Sequence, residues 1–140
     1  MNKTKIDLDD DLILRSENVE YDNDTLKNKL DTIVESGSND DGNWIKFSNG
    51  TMICICSVVR NIANTTAWNN MFIGDILNIP FPQTFVELYS CNIDLYTTRN
   101  VWKMSGGIPS TSGTNTFYSI SPESFTTDIQ INVIAIGKWK

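Results

Sequence analysis

Residues 129–140 read IQINVIAIGKWK. Ile129, Ile131, Val133, Ala135 and Trp139 share one parity, and a strand sends alternate side chains to opposite faces. The stretch therefore predicts a β-strand that carries a core face up to the final residues. A chain expected to end inside its own core, with nothing following, reads as the outermost piece of a larger assembly.

Composition divides the 140 residues in two. Residues 1–41 hold 12 acidic and 5 basic side chains, net −7, and one aromatic, Tyr21. Residues 42–140 hold 5 acidic and 6 basic side chains, net +1, and the other 13 aromatics. An acidic stem preceding an aromatic β head is the expected organisation. Overall net charge −6, without a basic run, argues against nucleic acid and against anionic membranes as partners, since both need clustered Lys and Arg. The opening MNKTKIDLDDD lacks the apolar stretch of a secretory signal. No apolar run approaches the length of a membrane span. Synthesis in a cytoplasm is expected, with exit only as part of a particle.

The three cysteines, Cys54, Cys56 and Cys91, have neither the number nor the spacing of a disulfide framework or a zinc site. With no histidine in the chain, the commonest zinc ligand and the usual general base are missing. The cysteines read as small buried apolar side chains. The aspartates of residues 7–11 lack the glycine and the distal glutamate of a calcium loop. They belong to a flexible acidic attachment segment over 1–17.

Residues 18–41 read as a stem. Within it, 24–36 (DTLKNKLDTIVES) predicts a short helix with Asp24 as N-cap and Gly37 past its end. Leu26, Leu30 and Ile33 give it one narrow apolar seam. A helix of that length is marginal alone, so the seam is expected to pack either on its own head or against copies of itself. The polar run 37–43 separating helix and head favours the second.

From residue 42 everything reads as β, in a β-sandwich or jelly-roll-like head over 42–140. WIKF (44–47), Ser48-Asn49-Gly50 and TMICICSVV (51–59) form a hairpin signal. The second strand is apolar on both parities, with Met52, Cys54, Cys56 and Val58 on one and Ile53, Ile55 and Val59 on the other. Strands of small antiparallel sheets usually have one wet face, so the second face is expected to be covered, either within the domain or by a neighbouring protomer. Further strands are predicted at 68–73, 84–90, 93–97, 101–104, 116–120 and 129–139. IPFP (79–82) demands extended backbone off the sheet interior, and SGGIPSTSGTN (105–115) reads as a long polar loop.

No motif for catalysis is present. A phosphate loop would need a lysine that SGGIPSTSG lacks. A glycosidase needs two carboxylates at a cleft, and of the head's Asp75, Glu87, Asp94, Glu123 and Asp128 none sits in a recognisable motif. What the head does carry is aromatic residues beside polar ones. Sugars stack CH-rich ring faces on aromatics and bond planar amides through their hydroxyls. Trp68, Asn69 and Asn70, and Tyr96, Arg99 and Trp102, are the candidate ligand-binding residues. The competing reading of each tryptophan is a core or interface position. Trp44 and Trp139 read as structural.

GNWIKFSNGTMICIC (42–56), WNNMFIGDILNIPFPQTFVELYS (68–90) and VIAIGKWK (133–140) resemble the C-terminal head domains of tail fibres and receptor-binding proteins from phages of Gram-positive bacteria. Such domains open with a W-x-[KR]-[FY]-x-[ND]-G-x-x-x-[CI] hairpin, carry an F-P-x-x-F strand entry and finish on AIG[RK]WK. The stem segments NVEYDN (18–23) and LKNKLDTI (26–33) resemble fibre elements as well. Cys56 stands where many relatives place Trp or Gly. The resemblance implies a homotrimer, with Leu26, Leu30, Ile33, Ile53 and Ile55 at its interface, at the tail tip of a virion or tail-like bacteriocin. It implies attachment to an upstream tail or baseplate protein through the N-terminal segment. It also implies binding of host cell-wall polysaccharide or teichoic acid; from the residues themselves no cofactor, local metal motif or enzymatic activity is expected. The family's ligand loops vary, so no binding residue transfers. Two other readings remain open: a fibre-capping module that trimerises and binds no receptor, and a monomeric lectin-like domain. A depolymerase is the enzymatic alternative.

Overall fold

The computed structural model describes Glu20–Tyr21, Asp24–Thr25 and residues 33–140. Strands β1 (Glu20–Tyr21) and β2 (Asp24–Thr25) pair antiparallel with each other, in a unit distinct from the head. The head, residues 33–140, contains nine strands in two antiparallel sheets.

The larger sheet has the order β3 (Ile33–Asn39), β4 (Gly42–Phe47), β5 (Thr51–Asn64), β11 (Phe125–Lys138), β8 (Glu87–Tyr96). The smaller has β6 (Thr66–Trp68), β7 (Met71–Ile76), β10 (Phe117–Ser121), β9 (Trp102–Met104). The centre of the larger sheet is the β5–β11 ladder, in register from Thr51↔Lys138 to Asn64↔Phe125. The alternation read from residues 129–140 is realised there: Ile129, Ile131, Val133 and Ala135 are fully buried opposite Met52, Cys54 and Cys56. Ile76 and Phe117 of the smaller sheet join the same core. Each such fully buried aliphatic side chain contributes about 2 kcal/mol through removal from water.

Two loops close the sandwich. Ile79, Phe81 and Phe85 are buried, and the two phenylalanine rings meet edge-to-face at 5.6 Å. The glycine-rich loop straps this segment in place. Phe81 N–H donates to Ser112 O (2.9 Å), Phe85 N–H to Thr111 O (2.9 Å) and Thr114 N–H to Ile79 O (3.0 Å). IPFPQTF (79–85) is thus a core plug whose two prolines hold the backbone extended while a polar loop meets its hydrogen bonds.

The helix expected over 24–36 is not formed at its described residues. Asp24–Thr25 is strand, and Ile33–Asn39 is the outer strand of the larger sheet, pairing with β4. Ile33, Val34, Ser36 and Ser38 are poor helix formers, and β4 offers their backbone a ladder. Gly37, read as a helix cap, lies against Trp44, where an added Cβ would collide with the indole ring. The sheet therefore begins at residue 33 rather than 42. The remaining helix positions 26–32, including Leu26 and Leu30, and the segment 1–17 lie outside the described residues.

Other strand boundaries moved for identifiable reasons. Residues 68–73 contain a turn: Trp68 pairs with Met71 across Asn69 and Asn70, with Asn69 in the left-handed region at φ 52°. Asparagine tolerates that conformation. The stretches 84–90 and 93–97 contribute to one strand, β8, with a register shift between Ile136 and Gly137 of its partner.

Candidate functional site

Both sheets present apolar residues outward. On the larger sheet, parity places Ile45, Ile53 and Ile136 in one cross-strand row and Ile55 with Ile134 in the next. Ile55 is 43% and Ile134 45% exposed. Next along the same face the character changes to a polar ladder. Ser57 Oγ donates to Asn132 Oδ1 (2.8 Å), and Asn61 Nδ2 donates to Asp128 Oδ1 (2.8 Å). The doubly apolar strand is thus resolved into a core face and an outward isoleucine patch in which Ile55 and Ile134 are exposed and Ile45, Ile53 and Ile136 are half-buried. Ile53 and Ile55 lie in that patch, and Ile33, 59% exposed, lies on the outer strand.

The outward face of the smaller sheet carries the tryptophans. Thr66, Ile73, Ile120 and Trp102 form one row across its four strands, and Trp68 pairs with Met71 in the next. Trp68 is 46% and Trp102 54% exposed. They stand on opposite edge strands of one face, separated by three interstrand spacings, about 14 Å across the sheet, and offset by one row along it, with Ile73 and Ile120 between the strands. Asn69 and Asn70 form the turn beside Trp68, and their carboxamides make no hydrogen bond among the described residues.

The other candidates lie elsewhere. Tyr96 sits on the outward face of the larger sheet, opposite Gln130. Arg99 is in the connection from β8 to β9, 4.0 Å from Glu123 and with its guanidinium 5.7 Å from the Phe125 ring centre. The six residues therefore do not form one site. Trp68, Asn69, Asn70 and Trp102 share the smaller sheet, whereas Tyr96 and Arg99 do not join them.

Trp44 and Trp139 are structural. Glu35 Oε1 accepts from Trp44 Nε1 and from Lys46 Nζ, each at 2.9 Å, and the Lys46 bond with the Trp44 bond holds the Glu35 carboxyl below its usual range. Burial pushes the Cys54 thiol up to about 11 and the Cys56 thiol up to about 12. Cys91, also raised by burial, borders a cleft of about 170 Å³ between β8 and β9 that Lys103 lines too.

A larger groove, of about 360 Å³, runs between β5 and the end of β7, lined by Arg60, Asn61, Ile62, Asp75, Leu77 and Asn78. None of these was singled out from sequence as a binding residue. The available signal was parity: Arg60 follows Met52, Cys54, Cys56 and Val58 on the inward side of β5. Among the described residues no group of Cys, Asp and Glu side chains is placed to hold a metal ion.

No known protein family matches this chain, and no curated protein matches it. Two solved structures are similar. A C-terminal portion of the Pseudomonas aeruginosa R1 pyocin fibre aligns at TM-score 0.53 and 18% identity over 74% of this chain. The alignment spans 28% of that fibre portion. An N-truncated R1-type pyocin tail fibre aligns at TM-score 0.47 and 18% identity, over 74% of this chain and 86% of that one. The first likeness is one of fold. It carries no association with Gram-positive hosts.

Proposed function

We propose that this chain is a fibre-tip adhesin of a phage or tail-like particle, which binds host cell-surface carbohydrate as a homotrimer and performs no chemistry on it. The observation that carries the reading is the placement of two half-exposed tryptophans on one sheet face, with an isoleucine patch on the other sheet. Soluble monomers rarely expose contiguous apolar patches of this kind without a partner. The two patches differ in a way that matches two partners. Branched aliphatics suit a packed protein interface. Indole rings beside free carboxamides suit sugar rings, whose CH faces stack and whose hydroxyls pair with planar polar groups.

The isoleucine patch is assigned to the trimer and the tryptophan face to the glycan. Three tryptophan faces per trimer would turn weak single contacts into useful attachment, because a second binding event at high effective concentration adds affinity without new contacts. The acidic segment 1–17 is assigned to docking on an upstream tail or baseplate protein. The fold likeness to a pyocin fibre supports the fibre assignment, and the absence of a basic patch in the sequence supports a glycan over nucleic acid.

The isoleucine patch alone also fits a second reading, a fibre-capping module that trimerises and binds no receptor. Fluorescent labelling of a panel of candidate host strains by the whole protein decides between them. Labelling that falls at least tenfold in both Trp68→Ala and Trp102→Ala, with mass and melting temperature kept, is expected of the adhesin. Wild-type labelling that survives both changes sinks the tryptophan assignment. No labelling of any strain leaves the capping module. Shortening of the bound polysaccharide on incubation would replace the adhesin with a depolymerase.

A further inference from the structure

Of the head's six cations, Arg60 and Lys103 make neither an ion pair nor a ring contact among the described residues. Lys46 contacts Glu35 (2.9 Å), Arg99 contacts Glu123 (4.0 Å) and Lys138 contacts Glu87 (3.4 Å). Lys140 lies 4.9 Å from the centre of the Trp139 ring. Arg60 has neither an ion pair nor a ring contact among the described residues, although it faces inward by parity and lines the groove between β5 and β7. The two strands meet closely at Gly74. Gly74 packs against Asn64, Ala63 and Ile62 so closely that a Cβ there would collide with all three. Next to that contact, Arg60 and Ile62, of one parity on β5, border a groove whose other wall is Asp75, Leu77 and Asn78.

The side chains in the groove are held ready for a ligand of mixed character. Asn78 Oδ1 accepts the Asn115 N–H (2.8 Å), leaving its own Nδ2 to donate. Asp75 forms no ion pair with Arg60 among the described residues, so its carboxylate stays available to accept hydroxyl groups. Ile62 and Leu77, the latter 73% exposed, supply apolar surface for a CH face. A guanidinium in a concave site pairs carboxylate or phosphate oxygens bidentately. A neutral sugar would leave it unpaired, and a bare anion would meet the repulsion of Asp75. A volume of about 360 Å³ lies at the small end of ligand sites.

We infer that the groove between β5 and β7 binds a single sugar or polyol unit bearing an anionic group, with Arg60 pairing the carboxylate or phosphate, and Asp75 and Asn78 taking hydroxyls. The saccharide nature of the ligand rests on the adhesin reading. The demand for an anion rests on Arg60 alone. The site is separate from the tryptophan face, so the two assignments can fail independently.

The test is titration of the whole protein with glucose, glucuronic acid and glucose 6-phosphate, followed by NMR on the Arg60 guanidinium and the Asn78 carboxamide. Both anionic sugars are expected to bind at least tenfold tighter than glucose, and the tighter of the two identifies carboxylate or phosphate as the natural group. Arg60→Gln should remove that preference with the melting temperature unchanged, and Arg60→Lys should restore part of it. Asp75→Asn should strengthen inorganic phosphate binding while weakening that of the sugars, which a merely structural Asp75 would not do. Equal affinity for glucose and glucuronic acid, an unaltered Arg60→Gln titration, or shifts confined to residues outside the groove would each overturn the inference. Host-cell labelling without groove binding of either anionic sugar overturns it too, and leaves the adhesin reading standing. Groove binding without labelling of any strain supports the inference and sinks the adhesin.

Discussion

The Trp139 indole N–H donates to the carbonyl oxygen of Phe47 at 3.0 Å. The Trp139 backbone N–H donates to Gly50 O, also at 3.0 Å. The last residues of the chain thus close onto the hairpin at 44–59, and the two most distinctive sequence stretches are one cluster in space. Lys46 lies 5.5 Å from the Trp139 ring centre and joins this cluster to Glu35 on β3. The GKWK ending is therefore a fastener for the first hairpin.

Trp139→Phe keeps an aromatic ring and removes the indole donor. It is expected to cost about 1 kcal/mol, the net value of one hydrogen bond. Trp139→Ala loses the ring as well and should cost about 3 kcal/mol. Urea unfolding measures both. Equal costs would show that the ring contributes nothing beyond the hydrogen bond, and an unchanged midpoint for Trp139→Phe that the hydrogen bond contributes nothing.

Asn64 and Ser119 join the two sheets inside the core, both fully buried. Ser119 Oγ donates to Asn64 Oδ1, and Asn64 Nδ2 reaches Phe72 O at 3.5 Å. Removing either partner strands a buried polar group, which costs about 1–3 kcal/mol. Asn64→Ala and Ser119→Ala should each fall in that range, and the double variant should cost clearly less than their sum. Strict additivity in urea unfolding would mean that the pair is not coupled.

The buried thiols give the head a sensitivity to alkali. Cys54 and Cys56 titrate near 11 and 12 in the fold, against 9.0 when free. The unfolded chain therefore releases these protons first as pH rises. Their contribution is fully present below pH 9, then lost progressively through the folded values. The combined loss is on the order of several kcal/mol. Cys56→Ala should flatten the fall in urea midpoint between pH 9 and 11. At pH 8 a disulfide reagent should label Cys91, which borders a cleft, ahead of the other two, and faster labelling of Cys54 would contradict the burial argument.

Parity carried the core into view: the alternations at 52–58 and 129–135 each became a buried row. What failed was reading where strands stop. The apolar run stops at Val59, and Arg60-Asn61 gives no sign that the strand continues. The ladder runs on to Asn64 because its hydrogen bonds are made by backbone, whatever the side chains. Arg60 went unnoticed as a groove residue for the same reason. IVESGSN (33–39) has no period of two, and only the presence of β4 makes it a strand. Trp68 and Trp102 were picked for their polar neighbours. Their sharing of one face depends on the order β6-β7-β10-β9, which no local pattern encodes.

The isoleucine patch makes the sharpest demand on the assembly. If Ile53, Ile55, Ile134 and Ile136 meet their counterparts in two other protomers, Ile55→Asp places a charge in each copy of a desolvated interface, where an unpaired charge is strongly unfavourable. In the isolated fold Ile55 is 43% exposed, so the same change should leave the monomer's core intact. Light scattering behind a sizing column is expected to give three times 15.8 kDa for the wild type and 15.8 kDa for the variant. Gln130→Asp, on the polar half of the same face, should shift the equilibrium far less. A wild-type mass of 15.8 kDa would remove the trimer, and a trimer indifferent to Ile55→Asp would move its interface away from this face.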